Sequence, residues 1–414
     1  SPDGKKLAFT ALNRLYVMDF PNGKPKRLTK NDYTEAQPAW SPDSKNLVFT
    51  TWKHGEGHLY KVNVSGRAKI EKLTKESGFY TKPAWSYNSD RIAFLKGSTQ
   101  GFEDAIGNSN PVNEIAWIPS NGGDITVIDR TKGRANIHFT KIDDRVYMNH
   151  GSKGLISIRW DGTDEKSHLK LTGITTYGSS DVFGEEHGIL PSEIEGWREN
   201  NRASRPQEIR ISPDGRNALA KINNDVYSVL IPKIGNTPTI SLANADNAAF
   251  PANKLTIMGG EFPAWSSDSK KVHWSLGASH FVYDLAKGKA FADNLAAEKK
   301  KKAKEKSIQK KTFKKPKETP KFKADEYPIK VGYKKATPKG TILLKGGRII
   351  TMNGSQVIEN GDVLIVNNRI QKVGASGSFT IPSGAKIIDV SGKTITPGFV
   401  DTHAHMWPNW GVHK

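Results

Sequence analysis

Two histidines near the end of the chain, His403 and His405, have the spacing of a metal-binding pair. Residues i and i+2 of a β-strand face the same side, so a strand at this point would present two imidazoles to one divalent cation. Asp401 stands two residues before the pair. A bare His-x-His pair is a weak signal, because 11 His in 414 residues give roughly 0.3 such pairs by chance. The residues around the pair therefore decide whether it indicates a metal site.

The residues before this pair have the pattern of a small antiparallel β unit. Strand-like runs occupy 341–351, which contains a turn, and 362–366, 369–374, 386–390 and 393–396. Asn367 and Asn368 supply a turn between 362–366 and 369–374. The last run ends immediately before Pro397 and Gly398. We therefore predict a partial β-sandwich over residues 324–396, followed directly by the histidine segment, 397–414.

The stretch from 340 to 405 resembles the opening segment of the amidohydrolase superfamily. In that family the strand pattern Gly-Asp-Val-Leu-Ile-x-x-x-Arg-Ile-x-x-Val-Gly precedes Pro-Gly-x-x-Asp-x-His-x-His, and every defining position is filled here. The resemblance implies that residues 397–414 contain the first strand of a (β/α)8 barrel. It also implies that His403 and His405 are metal ligands, with Asp401 behind them.

The activity implied by this resemblance is metal-dependent hydrolysis of a C–N bond in an amide, a cyclic amide or a peptide-like small molecule. The expected cofactor is a divalent metal, with zinc as the first choice and one or two ions in the intact protein. Such an ion polarises the scissile carbonyl and lowers the pKa of a bound water. The general base and the remaining ligands come from later barrel strands in the family, so they are expected beyond residue 414.

The first 290 residues repeat one short motif. The segment 38–44, Pro-Ala-Trp-Ser-Pro-Asp-Ser, has near copies at 83–89 and 263–269. Shorter or degraded versions stand at 1–4, 140–144 and 212–215. Pro and Asp favour a tight turn, and the apolar runs on either side have the length of strands. Six units of four strands, spaced 40 to 72 residues apart, are typical of propeller blades, and the first unit begins inside its turn at Ser1.

The repeat Pro-x-Trp-Ser-Pro-Asp-x-Lys-x-Leu-x-Phe, followed by Leu-Tyr-x-Val and Leu-Thr, resembles that of TolB-type propellers over residues 1–291. The predicted class is therefore all-β in the part present. The resemblance implies a protein partner for the propeller and a periplasmic or exported location. It leaves a second function open, that of a protein-binding scaffold in the periplasm. A propeller-gated serine peptidase is disfavoured, since no Gly-x-Ser-x-Gly motif occurs.

The net charge of +20 is concentrated in one segment. Residues 298–339 contain seventeen Lys against five Asp or Glu, a net of +12, which leaves +8 for the rest of the chain. We predict a solvated Lys-rich linker at 292–323 rather than a specific nucleic-acid site, because Arg is absent from it and only two aromatic residues interrupt it. No apolar run approaches the length of a membrane span, and the absence of Cys excludes thiolate metal sites.

The two histidines alone provide fewer than the three protein ligands that a catalytic zinc needs. We therefore expect the purified 414-residue chain to hydrolyse neither a dipeptide nor a cyclic amide above the background rate. Product release measured by chromatography tests this, and turnover that a metal chelator abolishes would contradict it.

Overall fold

The computed structural model describes residues 1–66, 69–104, 111–174, 203–306, 320–332, 334 and 337–402. The described residues form two compact units, 1–331 and 332–402. Each consists mainly of β-strands, which confirms the all-β class. None of the helices in the described ranges is long and apolar enough to cross a membrane.

The larger unit consists of six consecutive sheets, one for each predicted repeat. The first sheet has three strands, β1 (Lys6–Ala11), β2 (Arg14–Asp19) and β3 (Lys26–Arg27). The second contains β4 (Thr34–Trp40), β5 (Asn46–Lys53), β6 (Glu56–Asn63) and β7 (Ile70–Lys72). The third contains β8 (Phe79–Trp85), β9 (Arg91–Gly97), β10 (Val112–Pro119) and β11 (Thr126–Arg130), with helix α1 (Thr99–Glu103) after β9.

The remaining three sheets of this unit show two departures from a simple four-strand repeat. The fourth contains β12 (Arg134–His138), β13 (Val146–His150), β14 (Gly154–Ile158) and β15 (Lys166–Thr172). The fifth contains β16 (Glu208–Ile211), β17 (Asn217–Ile222), β18 (Asp225–Leu230) and β20 (Ala252–Lys254). Between β18 and β20 the chain forms β19 (Thr239–Ser241), which pairs in parallel with β15 of the fourth sheet, and a 3-10 turn (Ala245–Asn247). The sixth contains β21 (Glu261–Trp265), β22 (Lys271–Leu276), β23 (Ser279–Asp284) and β24 (Asp325–Pro328).

The closing strand of the sixth sheet changes the predicted domain boundaries. After β23 the chain forms helix α2 (Leu285–Lys306), and β24 then returns to pair with β23, with Val282 opposite Asp325. The first unit therefore extends to residue 331 rather than 291, and the Lys-rich segment is an excursion within one sheet rather than a linker between domains. Ala, Leu and Lys are good helix formers, which explains why the segment begins as a helix although its polarity predicts a loop.

Each repeated turn is held by a serine or threonine and an aspartate of its own. In the second sheet, Ser41 Oγ donates to Asp43 Oδ1 at 2.5 Å. The amide of Lys45 donates to Asp43 Oδ1 at 3.0 Å, and that of Asn46 donates to Ser41 Oγ at 2.9 Å. The residue after the aspartate, Ser44, is in the left-handed region with φ of 63°. Ser212 and Ser266 repeat this arrangement. The motif thus fixes the register of the β4–β5 hairpin and of its counterparts.

The same turns connect neighbouring sheets. The amide of Asp3 donates to Ser44 Oγ in the next sheet at 3.0 Å, and the amide of Asp214 donates to Ser269 Oγ at 3.1 Å. Ser267 Oγ of the sixth sheet donates to the carbonyl of Pro2 in the first at 2.6 Å. The turns therefore form hydrogen bonds to neighbouring sheets as well as within their own hairpins.

The motif tryptophans add a second set of links. Trp85 Nε1 donates to the carbonyl of Ala39 at 3.1 Å, and Trp265 Nε1 donates to that of Arg210 at 3.2 Å. Both bonds join the first strand of one sheet to the first strand of the sheet before it. The hydrophobic clusters lie between the same neighbours: Val48 and Leu59 of the second sheet pack with Phe94 of the third.

We expect Trp85→Phe to destabilise the first unit by about 2 kcal/mol, because the hydrogen bond from the indole to the carbonyl of Ala39 is lost and a small cavity opens beside it. The matched control is Trp40→Phe. Trp40 has the same place in the motif, but its indole N–H donates to no residue in the described ranges. Urea unfolding followed by circular dichroism measures both losses. Equal losses in the two variants would show that the hydrogen bond contributes nothing.

Candidate metal centre

The segment that leads to the two histidines belongs to the second unit, a five-stranded sheet. Its strands are β25 (Thr341–Ile350), β26 (Val357–Val366), β27 (Arg369–Ala375), β28 (Lys386–Asp389) and β29 (Thr394–Ile395). β26 pairs antiparallel with β25 and with β27, and β28 and β29 both pair in parallel with β25. Strands therefore form where the sequence predicts the small β unit, but the sheet is mixed rather than antiparallel throughout.

The last strand fixes the point from which the metal-binding segment leaves the sheet. Thr394 and Ile395 lie opposite Arg348 and Ile349 of β25, and the amide of Arg348 donates to the carbonyl of Lys393 at 3.0 Å. Only Thr396 separates this pairing from Pro397. The predicted motif is therefore attached by a very short connection to the longest strands of the unit.

Residues 397–402 are not a strand, which corrects the part of the prediction that falls on them. Phe399 is 99% exposed and Val400 is 84% exposed, and Asp401 is also exposed. A parallel barrel strand needs a hydrogen-bonded neighbour on each side, and no described strand lies beside this segment. His403 and His405, with the rest of the predicted strand, lie outside the described residues.

The ligand atoms that this chain offers can be compared with those that the expected metal prefers. Two imidazole nitrogens suit zinc and similar divalent ions. In the described ranges, however, no group of three or more His, Asp or Glu side chains could hold an ion. His403 and His405 thus fit as part of a site, and the described residues do not supply the third protein ligand.

Several of the described histidines have structural roles. One of them, His138, is buried and accepts a hydrogen bond at Nε2 from the amide of Ile211 in the next sheet at 2.9 Å. Burial, with a smaller contribution from Arg210, lowers the pKa of His138 to about 3. It is therefore neutral at physiological pH and joins the fourth sheet to the fifth.

Asp362 holds the second unit together and was not singled out from the sequence. Its side chain is 1% exposed and accepts hydrogen bonds from the amides of Gly346 at 2.9 Å and Gly377 at 3.1 Å. Burial alone would raise the pKa of this carboxyl, but these bonds, with contributions from Ser376 and Lys345, leave the pKa below its usual value. A lone acidic residue at the start of the apolar run Val-Leu-Ile was the available signal.

Apolar side chains remain exposed on this sheet. Ile370 and Val373 of β27 are 68% and 43% exposed, and Ile387 of β28 is 54% exposed. Neither strand has a described layer over these residues. A sheet normally buries one face against another layer. The described strands thus leave part of the apolar surface of this sheet uncovered.

Comparison with known proteins identifies the first unit. A family model described as the TolB beta propeller domain matches residues 1–116. The chain contains a TolB-like β-propeller domain. A solved structure of putative TolB from Agrobacterium tumefaciens is 15% identical, covers 67% of this chain and 88% of its own, and has a TM-score of 0.44.

Short matches to curated proteins concern a much smaller part of the chain. A dihydroorotase from Listeria welshimeri serovar 6b is 39% identical over 72 residues, which are 17% of this chain and 16% of that protein. Human dihydropyrimidinase-related protein 5 is 42% identical over 64 residues, 16% of this chain and 10% of that protein. The chain thus spans about a sixth or less of the length of these relatives.

The buried carboxylate of Asp362 predicts a pH-dependent stability of the second unit. A carboxyl whose pKa is lowered by folding contributes stability above its unfolded value, near 3.8, and loses that contribution as the pH falls towards the folded value. Asp362→Asn should cost about 2 kcal/mol at pH 7, because the new amide nitrogen cannot accept the hydrogen bond from a glycine amide.

Hydrogen exchange at the amides of Gly346 and Gly377 measures this locally, at pH 7 and at steps below pH 4. The variant should exchange faster at pH 7 and should lack the wild-type loss of protection at low pH. The control is Asp389→Asn, at an exposed aspartate of the same sheet, which should leave both amides protected. Unchanged protection in Asp362→Asn would contradict the assigned role.

Proposed function

We propose that the intact protein is a metal-dependent amidohydrolase that hydrolyses a C–N bond in an amide, a cyclic amide or a peptide-like substrate. The observation that carries the proposal is the motif Pro-Gly-x-x-Asp-x-His-x-His at 397–405, placed one residue after a sheet whose strand pattern is that of the same superfamily. The short matches to a dihydroorotase and a dihydropyrimidinase-related protein support the same assignment.

In this proposal His403 and His405 supply two ligands of a divalent metal, with zinc as the expected ion. Asp401 orients this segment and does not attack the substrate. A metal bound there would polarise the scissile carbonyl and acidify a bound water. The chain's own contribution is positional: β29 anchors the segment to β25, and Asp362 binds the amide of Gly346 at the bulge of β25 near this anchor. The general base and further ligands are expected outside these 414 residues.

The exposed apolar residues of the second unit fit the same proposal. Ile370, Val373 and Ile387 give the sheet an apolar surface that a missing layer of the sandwich would bury. Phe399 and Val400 would likewise become buried if residues 397–402 paired with neighbouring barrel strands. Burial of these side chains would favour assembly of the strand that carries the histidines.

The first unit favours a second function, that of a protein-binding scaffold. The observation for it is the TolB beta propeller match over residues 1–116. Propellers present loops and inner strand ends as binding surfaces, and the same fold serves many functions. For this second function, a protein partner binds the propeller in the periplasm or outside the cell. The two functions are compatible in one chain.

Metal analysis of the intact parent protein tests the main proposal. We expect wild-type protein to contain stoichiometric zinc or a similar ion and to hydrolyse a member of a dipeptide and cyclic-amide panel. The double variant His403→Ala/His405→Ala should lose both, because two of the few protein ligands are removed. The control is His54→Ala, at an exposed histidine of the propeller, which should retain metal and activity.

Circular dichroism of the double variant distinguishes loss of metal from loss of fold, since the described sheets do not contain the two histidines. Metal content that is the same in wild type and in the double variant would overturn the amidohydrolase proposal. Co-purification of a protein partner with such a metal-free chain would then favour the scaffold function.

A further inference from the structure

The sequence contains four Asn-Gly pairs, at 22–23, 121–122, 353–354 and 360–361. An asparagine in such a pair can react with its own backbone, because the glycine nitrogen can attack the carbonyl carbon of the asparagine side chain. Glycine has no Cβ to obstruct this approach and changes its backbone conformation easily. All four asparagines are exposed, so exposure alone does not distinguish the pairs. The surroundings of each glycine nitrogen distinguish them.

In two of the pairs the glycine nitrogen is already engaged in a turn. The amide of Gly23 donates to the carbonyl of Asp19 at 2.7 Å, and the amide of Gly122 donates to that of Pro119 at 2.9 Å. The nitrogen must release this hydrogen bond before it can lose its proton and attack. Each bond therefore lowers the rate of the reaction at the asparagine before it.

The pair at 360–361 lies inside the sheet of the second unit. Both residues belong to β26, which has a neighbour on each side. Gly361 is buried and pairs with Gly347 of β25 and with Ala375 of β27. Ring closure needs the backbone of Asn360 to rotate out of its extended conformation. Part of the sheet must therefore open before this asparagine can react.

The remaining pair, Asn353-Gly354, has none of these restraints. It lies in the connection 351–356 between β25 and β26, and both residues are exposed. Within the described part of the chain, neither the backbone amide of Gly354 nor the side-chain amide of Asn353 is hydrogen-bonded. A Cβ placed on Gly354 would have no atom within 4 Å apart from its chain neighbours, so open space surrounds the attacking nitrogen.

We propose that Asn353 is a site of spontaneous deamidation in the folded protein. The nitrogen of Gly354 forms a bond to Cγ of Asn353, and the bond from Cγ to Nδ2 breaks. The proton from the Gly354 nitrogen ends on the leaving group, which departs as ammonia. One water molecule then opens the cyclic imide. Hydrolysis at one carbonyl gives aspartate, and hydrolysis at the other gives isoaspartate, so water is the only co-reactant.

The reaction changes the connection between β25 and β26 in two ways. Either product adds one negative charge at an exposed position. In isoaspartate the main chain runs through the former side chain, and the former backbone carbonyl becomes a free carboxylate. That carbonyl accepts the amide of Gln356 at 3.3 Å in the structure. We therefore expect the isoaspartate form to alter this loop, while β25 and β26 keep their pairing.

Incubation of the 414-residue chain at mildly alkaline pH, followed by peptide mass spectrometry, measures deamidation at all four pairs in one sample. Asn353 should react about fivefold or more faster than Asn22, Asn121 or Asn360, because each of those must first lose a hydrogen bond or open part of a sheet. In concentrated urea, where these restraints are absent, the four rates should converge. The same sample thus separates the effect of the fold from that of the Asn-Gly sequence.

Two variants test the assignment at exposed positions. Asn353→Gln should remove most of the acidic species that isoelectric focusing detects after incubation, because a glutamine side chain closes the larger ring far more slowly. Asn360→Gln is the matched control in the same sheet and should accumulate acidic species as wild type does. Equal rates at the four pairs of the folded chain, no deamidation at Asn353, or unchanged acidic species in Asn353→Gln would overturn the proposal. These measurements involve neither the metal nor the hydrolytic activity of the intact protein.

Discussion

The propeller depends on hydrogen bonds that the repeated motif sends to a neighbouring sheet. A sheet of four short strands buries too little apolar surface to be stable by itself, so each needs the next. The Ser-Pro-Asp turn supplies a hydroxyl to the adjacent turn, and the tryptophan before it supplies an indole N–H to the adjacent inner strand. The motif therefore specifies the sheet and its neighbour together. In the fifth sheet Ile211 stands in place of the tryptophan, and its backbone amide donates to His138 of the fourth sheet instead.

Because one short motif specifies both the turn and its contacts, the sequence predicted the sheets well. Pro, Asp and Ser at fixed spacing determine local turn geometry, and the flanking apolar runs determine the strands. Six units could be located from these residues alone, although β19 and β24 could not. Each is a short polar strand that pairs only because its neighbour is already in place. The residues of a short strand do not specify a partner strand that lies far away in the sequence. The predicted propeller therefore ended at residue 291.

The metal-binding segment shows a different limit of prediction from sequence. His403 and His405 were recognisable because ligand spacing is a local property. Asp362 was not, because its importance comes from two glycine amides that the fold brings to it from 16 residues before and 15 residues after. The strand predicted at 397 failed within the described residues for a related reason. A parallel strand is stabilised by its neighbours, so its own side chains cannot specify it alone.

The closing strand of the sixth sheet has a consequence for biosynthesis. β23 is complete at Asp284, but its partner β24 begins at Asp325, after helix α2 and the Lys-rich segment. A ribosome must add these intervening residues before the sheet can acquire its outer strand. During that interval the nascent propeller exposes the open backbone edge of β23, the kind of edge that recruits foreign strands. The dense positive charge that emerges next repels other copies of the same chain, so it would protect this edge from self-association until β24 arrives.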